Sequence, residues 1–185
     1  MIKSPVHTAR VPLLRKLFPK AKFIYIHRHP EVVFQSSAHL ADTTYWYCYL
    51  NTPSNEKVTS FIFWQFQRLW TTYNDAVLLT PEHSEEGGEN RNCKYKERRL
   101  TDDVMELGYA DLVMQPLASL QRIYAYLKIP FQEERFSSPI AALSGYKVNE
   151  HADLDVELLK RIRVEWREYY HAFGYEADKD VSRSE

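Results

Sequence analysis

Hydrophobic positions along this chain recur with two different periods, and the switch between them divides it into elements. Val11, Leu13, Leu14, Leu17 and Phe18 fall on one helical face, with Thr8 placed to cap its start and Pro19 to end it. Phe23, Ile24, Tyr25 and Ile26 form a short continuous apolar run, so residues 23–27 read as a buried strand. Residues 30–40 return to helical spacing behind Pro30, with Val32, Val33 and Phe34 inward. Residues 42–50 crowd Tyr45, Trp46, Tyr47 and Tyr49 together and read as an irregular segment or short helix. From 55 to 79 apolar residues recur every three or four positions, which predicts a long amphipathic helix. Val104 to Tyr109 predicts a second strand, 116–127 a helix and 153–173 another.

Between the long helix and the second strand lies TPEHSEEGGENRNCKYKERR, polar, charged and carrying Gly87-Gly88, so 80–103 is expected to be a flexible loop. Residues 179–185 are expected to form a disordered tail, leaving 1–178 as one domain. Two strands and about five helices make a helix-rich α/β protein with a small parallel sheet flanked by helices. A parallel sheet needs cover on both faces, so two strands are few for a self-sufficient domain of this class.

Length and composition narrow the function. At 185 residues, 44% apolar and 26% charged, the chain is long enough to bury a core. A net charge of −1 leaves no broad basic field for nucleic acid, so any anion site must be local. Cys48 and Cys93 make neither a disulfide framework nor a metal set. No apolar run approaches the roughly 20 residues that span a bilayer. No signal peptide opens the chain, which gives a cytoplasmic expectation.

The chemistry concentrates in KFIYIHRHPEVVFQSSAHL, residues 22–40. An apolar strand runs into His27 and Arg28, and a helix opens at Pro30. A helix N-terminus offers unpaired backbone N–H groups, and a guanidinium beside it can hold a phosphate through two N–H groups at once. Ser36, eight residues past Arg28, can add a hydroxyl. His27 and His29 could suggest a metal, but one packing into the strand and the other shaping the turn is the preferred reading. The group Tyr45–Tyr49 reads as core, with an acceptor cleft or an adenine stack as the alternative.

This stretch resembles the 3′-phosphate-binding segment of sulfotransferases that use 3′-phosphoadenosine 5′-phosphosulfate (PAPS), in which a strand-end arginine and a serine eight positions later contact the nucleotide. Three further segments resemble that family in order: Lys3-Ser4-Pro5-Val6-His7-Thr8, then Val104 to Ile129 with its Y-x-D-L turn, then Gly145 through Tyr175. The resemblance implies a P-loop-like fold with PAPS as co-substrate and no metal, and Arg28 and Ser36 as cofactor-binding residues. Lys147 lies where family members have a late segment that closes over the nucleotide, and is the third cofactor-binding candidate. Lys3 is the candidate active-site lysine and His7 the candidate general base, although His7 follows Lys3 by four residues where cytosolic members space the pair by two.

The same resemblance implies a second anion cradle, a strand–loop–helix rich in glycine or serine that holds the 5′-phosphosulfate. The sequence carries none; the expectation is therefore the C-terminal portion of the family fold. The implied activity is sulfuryl transfer to a hydroxyl or amine, and the rival reading is a truncated, non-catalytic nucleotide-binding or interaction fragment. The implied partners are a small-molecule or carbohydrate acceptor and no nucleic acid, with a homo-oligomer or an N-terminal segment outside this sequence as the further association.

Overall fold

The computed structural model describes residues 1–79, 99–142 and 153–175. Its sheet has two strands, β1 (Phe23–His27) and β2 (Val104–Gly108), paired in parallel with Phe23 opposite Val104 and His27 opposite Gly108. The helices among the described residues are α1 (Val11–Leu17), α2 (Pro30–Thr43), α3 (Asn55–Val77), α4 (Tyr109–Met114), α5 (Pro116–Leu127), α6 (Glu134–Ala142), α7 (Val156–Glu165) and α8 (Arg167–Phe173).

Several boundaries follow directly from local chemistry. Pro30 opens α2 at a position whose missing N–H costs nothing. Ser54 caps α3, its Oγ accepting from the Lys57 N–H at 3.3 Å. Asp155 caps α7, accepting from the Leu158 N–H at 2.8 Å. Gly174, at φ +66°, ends α8 with the Tyr175 N–H donating to the Tyr170 carbonyl at 2.9 Å. That left-handed turn sends Tyr175 back across the sheet's end.

Other expectations are corrected. Thr8 does not cap α1; it lies inside a 3₁₀ turn over Pro5–Arg10, and α1 begins after Arg10, where Pro12 supplies the helix-ready backbone. The single helix expected over 153–173 is two, separated at Trp166, whose backbone leaves helical geometry at φ −107° and ψ 17°. Its apolar period runs on through the break, since Ile162, Trp166, Tyr169 and Tyr170 all point inward. The expected buried strand is only partly covered: none of the five β1 residues is fully buried, and Ile26 is 48% exposed. Among the described residues β1 has a single partner strand and one unpaired edge.

Helix α3 organises the core by feeding two clusters. One joins Trp70, Tyr73 and Val77 to Val11, Val104 and Tyr169; the other joins Ile62 and Phe63 to Phe34, Ile162, Trp166 and Tyr170. Phe66 bridges them, stacked on Trp166 with ring centres 3.7 Å apart. The chain returning at residues 99–101 pairs with the end of α3: Leu79 N–H donates to Arg99 C=O and Thr101 N–H to Val77 C=O, each 2.9 Å. The rest of the segment expected to be flexible, 80–98, and the expected tail, 179–185, lie outside the described residues.

Candidate functional site

Arg28 is the first residue beyond the β1–β2 ladder. Because His27 lies opposite Gly108, the next residue on each strand, Arg28 and Tyr109, come side by side. The Arg28 guanidinium sits 4.5 Å above the centre of the Tyr109 ring, a geometry that holds a cation by its charge while leaving N–H groups for another ligand. A Cβ at Gly108 would come within 3.0 Å of the Asp111 carboxylate. Among the described residues no carboxylate or carbonyl meets the Arg28 guanidinium.

Ser36 is exposed. It lies two residues from buried Phe34, about 200° around α2, and so on the face turned away from the core. Among the described residues its hydroxyl has no protein partner. Arg28 and Ser36 are thus placed as the sequence reading expects, at a strand end and on the following helix, and both retain hydrogen-bonding capacity.

The turn between β1 and α2 is gripped from behind by tyrosines of the C-terminal segment. The Arg28 N–H donates to Tyr169 Oη at 3.2 Å, and the Tyr169 hydroxyl donates to the Arg28 carbonyl at 3.2 Å. Tyr175 Oη lies 2.7 Å from His27 Nδ1, and the His27 ring stacks on Phe173 at 4.0 Å. His29 meets Tyr170 and Tyr175 edge-on at 5.8 and 5.3 Å. The two histidines therefore pack against aromatic rings. Among the described residues no group of three or more His, Cys, Asp or Glu could hold a metal ion.

Glu31, in the first turn of α2, accepts from the Tyr170 hydroxyl and from Arg163 Nε, each at 3.2 Å. A carboxylate there suits the helix dipole, and Arg163 offsets its charge. Burial pushes the Tyr175 hydroxyl up to about 12, with Asp111 adding repulsion. Burial raises Tyr169 further, and raises Tyr170 with the help of Glu31, so these hydroxyls keep their protons.

The two catalytic candidates share a cleft of about 520 Å³ lined by Lys3, Ser4, His7, Lys22 and the β1 residues Phe23, Ile24 and Tyr25. Lys3 is exposed, whereas His7 Nδ1 is buried and has no partner among the described residues. A second cleft, of about 250 Å³, lies between α2 and α3 and is lined by Leu40, Ala41, Tyr45, Tyr49, Val58, Phe61 and Ile62, with Ser37, Lys57 and Gln65 as its polar members. Two of its hydroxyls are engaged: Ser37 donates to the Val33 carbonyl and Tyr49 to the Ala41 carbonyl. Tyr45 and Tyr47, expected in the core, are instead 40% and 86% exposed. Neither Arg28 nor Ser36 lines either cleft. Lys147 lies outside the described residues.

Sequence reasoning missed Tyr109, Tyr169 and Tyr175. The first enters the sequence pattern only as the opening of the Y-x-D-L turn. Its partnership with Arg28 needs the strand register, which no local pattern contains.

A sequence model of the sulfotransferase family matches residues 1–133. The omega-hydroxy-beta-dihydromenaquinone-9 sulfotransferases Stf3 of Mycobacterium bovis and Mycobacterium tuberculosis are each 29% identical over 181 residues, covering 95% of this chain and 41% of theirs. The crystal structure of sulfotransferase STF9 from Mycobacterium avium shares the fold, with a TM-score of 0.64 and 18% identity over 95% of this chain and 42% of that one. The chain thus spans about two-fifths of the length of the relatives it matches. With its strand-end arginine, its helical serine and more than half its length matched, the chain belongs to the sulfotransferase family.

Proposed function

We propose that the chain is the 3′-phosphate-reading portion of a cytoplasmic sulfotransferase that takes PAPS as donor and passes its sulfuryl group to a hydroxyl or amine of a small-molecule acceptor. One observation carries the reading: the Arg28 guanidinium rests over Tyr109, and among the described residues no carboxylate forms an ion pair with it. A cation fixed in place without an ion-pair partner is suited to an anionic ligand, and the planar fork of arginine matches phosphate oxygens. Ser36 stands about 9 Å along the α2 axis from Pro30 and would contribute a hydroxyl to the same phosphate.

Transfer requires the acceptor oxygen or nitrogen to attack sulfur while the bond from sulfur to the bridging phosphate oxygen breaks. The acceptor's proton must leave as it does so. In this reading His7 takes that proton, and Lys3 stabilises the charge that develops on the bridging oxygen. Their shared cleft supports the pairing. The cradle for the 5′-phosphosulfate would come from outside these residues, in keeping with the greater length of the relatives.

The cleft between α2 and α3 supports a reading of the acceptor class. Most of its lining side chains are hydrocarbon or aromatic, Ser37 and Tyr49 spend their hydroxyls on backbone carbonyls, and the curated relatives are named for a menaquinone derivative. A lipophilic acceptor fits both facts. Calorimetry on the full-length protein tests the donor assignment. Adenosine 3′,5′-bisphosphate should bind more tightly than ATP, and Arg28→Ala should weaken the bisphosphate by about 1.5–3 kcal/mol, the range of a charge-assisted hydrogen bond. An unchanged affinity would overturn it.

A further inference from the structure

Beyond the ladder's last pair, His27 and Gly108, the backbone of Arg28 has no strand partner among the described residues. One side chain takes that place. The Tyr169 hydroxyl accepts from the Arg28 N–H and donates to the Arg28 carbonyl, both at 3.2 Å, so a single oxygen engages both polar groups of one residue. The ring that carries this oxygen is 1% exposed and wedged edge-on against Phe66, Trp70 and Phe173, at 5.0, 4.9 and 4.8 Å. The core therefore sets where the hydroxyl stands, and the hydroxyl sets where the Arg28 backbone stands.

We propose that Tyr169 is a positioning residue for Arg28: through this two-bond lock it aims the guanidinium at the phosphate it reads. The inference rests on the assignment of Arg28 as a phosphate ligand. An arginine side chain has four rotatable bonds, and a guanidinium displaced by an ångström loses the two-point geometry that distinguishes it from a diffuse charge. Two devices remove that freedom here. Tyr169 fixes the backbone from which the side chain departs, and Tyr109 supplies the surface on which the guanidinium rests. Burial keeps the Tyr169 hydroxyl protonated, so it retains a proton with which to donate to the Arg28 carbonyl.

A purely structural tyrosine would affect all ligands alike, whereas a positioning one affects only the ligand that Arg28 reads. The test compares adenosine 3′,5′-bisphosphate with adenosine 5′-phosphate on the full-length protein. Tyr169→Phe keeps every ring contact and removes the oxygen. The preference for the bisphosphate should fall by about fivefold, as expected for loss of a neutral hydrogen bond, with the affinity for adenosine 5′-phosphate unchanged. Trp70→Phe, which disturbs the same core without touching Arg28, should preserve the preference. Equal weakening of both nucleotides by Tyr169→Phe, or no change in either, overturns the proposal. Arg28→Ala separates the two levels. If it abolishes the preference while Tyr169→Phe does not alter it, only the positioning role fails; if it leaves the preference intact, the phosphate assignment fails with it. A measurement without any variant adds a check: the Arg28 amide should exchange its hydrogen as slowly as the amides within β1, and rapid exchange would contradict the lock.

Discussion

Arg15 and Asp103, 88 residues apart in sequence, close a forked ion pair with Nε on Oδ2 at 2.7 Å and Nη2 on Oδ1 at 2.8 Å. The same guanidinium donates to Thr101 Oγ1 at 2.6 Å and to the carbonyl of Ala76. One side chain thus ties α1 to the end of α3 and to the turn that enters β2. It anchors the turn that leads into β2, the strand that ends at Gly108 just before Tyr109, and so bears on the site from a distance.

The hydrogen bond from Arg15, above all, holds the Asp103 carboxyl below its ordinary value, and Asp103 in turn raises Arg15. A carboxyl depressed in the folded state contributes stability above its unfolded value near 3.9, and that contribution disappears as pH falls through the lower folded value. Asp103→Asn should cost about 1–2 kcal/mol at neutral pH, the range for a partly exposed charge-assisted pair. Urea unfolding from pH 7 down to 3 should show the gap between wild type and variant narrowing. A gap independent of pH would exclude the ion pair as its source.

The alkaline limb should be set by tyrosines. Tyr126 and Tyr175 are pushed by burial up to about 12, while in the unfolded chain a tyrosine titrates near 10. The neutral forms are favoured by folding, so stability is full below pH 10 and declines between 10 and 12. Tyr175→Phe should make that decline shallower. An identical alkaline profile would rule out Tyr175 as a contributor.

If His7 takes the acceptor's proton, His7→Asn should lower turnover by at least about 100-fold with nucleotide affinity preserved. Lys3→Ala should behave likewise. Steady-state kinetics beside calorimetry on the full-length protein separates the two effects, and a loss confined to nucleotide binding would remove both residues from the reacting centre.

Ile162 is fully buried, between α3 and the aromatic cluster of Phe34, Phe63 and Trp166. Ile162→Ala should cost about 2–5 kcal/mol of stability through lost burial and the cavity left behind. Denaturant titration measures it directly; a cost under about 1 kcal/mol would mean that this core relaxes to fill the gap.

In the cleft between α2 and α3, Leu40→Asp would place a charge against hydrocarbon. The KM for a lipophilic acceptor should rise by more than about tenfold while bisphosphate binding stays constant. An unaltered KM would move the acceptor elsewhere.

What could be read along the chain was whatever neighbouring residues decide among themselves. The limits of β1 follow from one apolar run, the start of α2 from Pro30, and the long α3 from its period. Two short helices escaped. Six-residue α4 is too brief to show a period, and α6 carries Pro139 in its interior. Arg28 and Ser36 stood out because a strand, a proline and a helix follow one another without interruption, so both positions are fixed by local geometry.

Tertiary structure alone decided what surrounds them. Tyr109 reaches Arg28 only because β2 pairs with β1 in one register, and Tyr169 reaches it across 141 residues only because α8 packs on α3. Backbone preference and periodicity act over a few residues, whereas the partners of a side chain are chosen by how separate apolar faces close on each other. Sequence by itself named the cation and the element that bears it; packing determined which rings hold it and where it points.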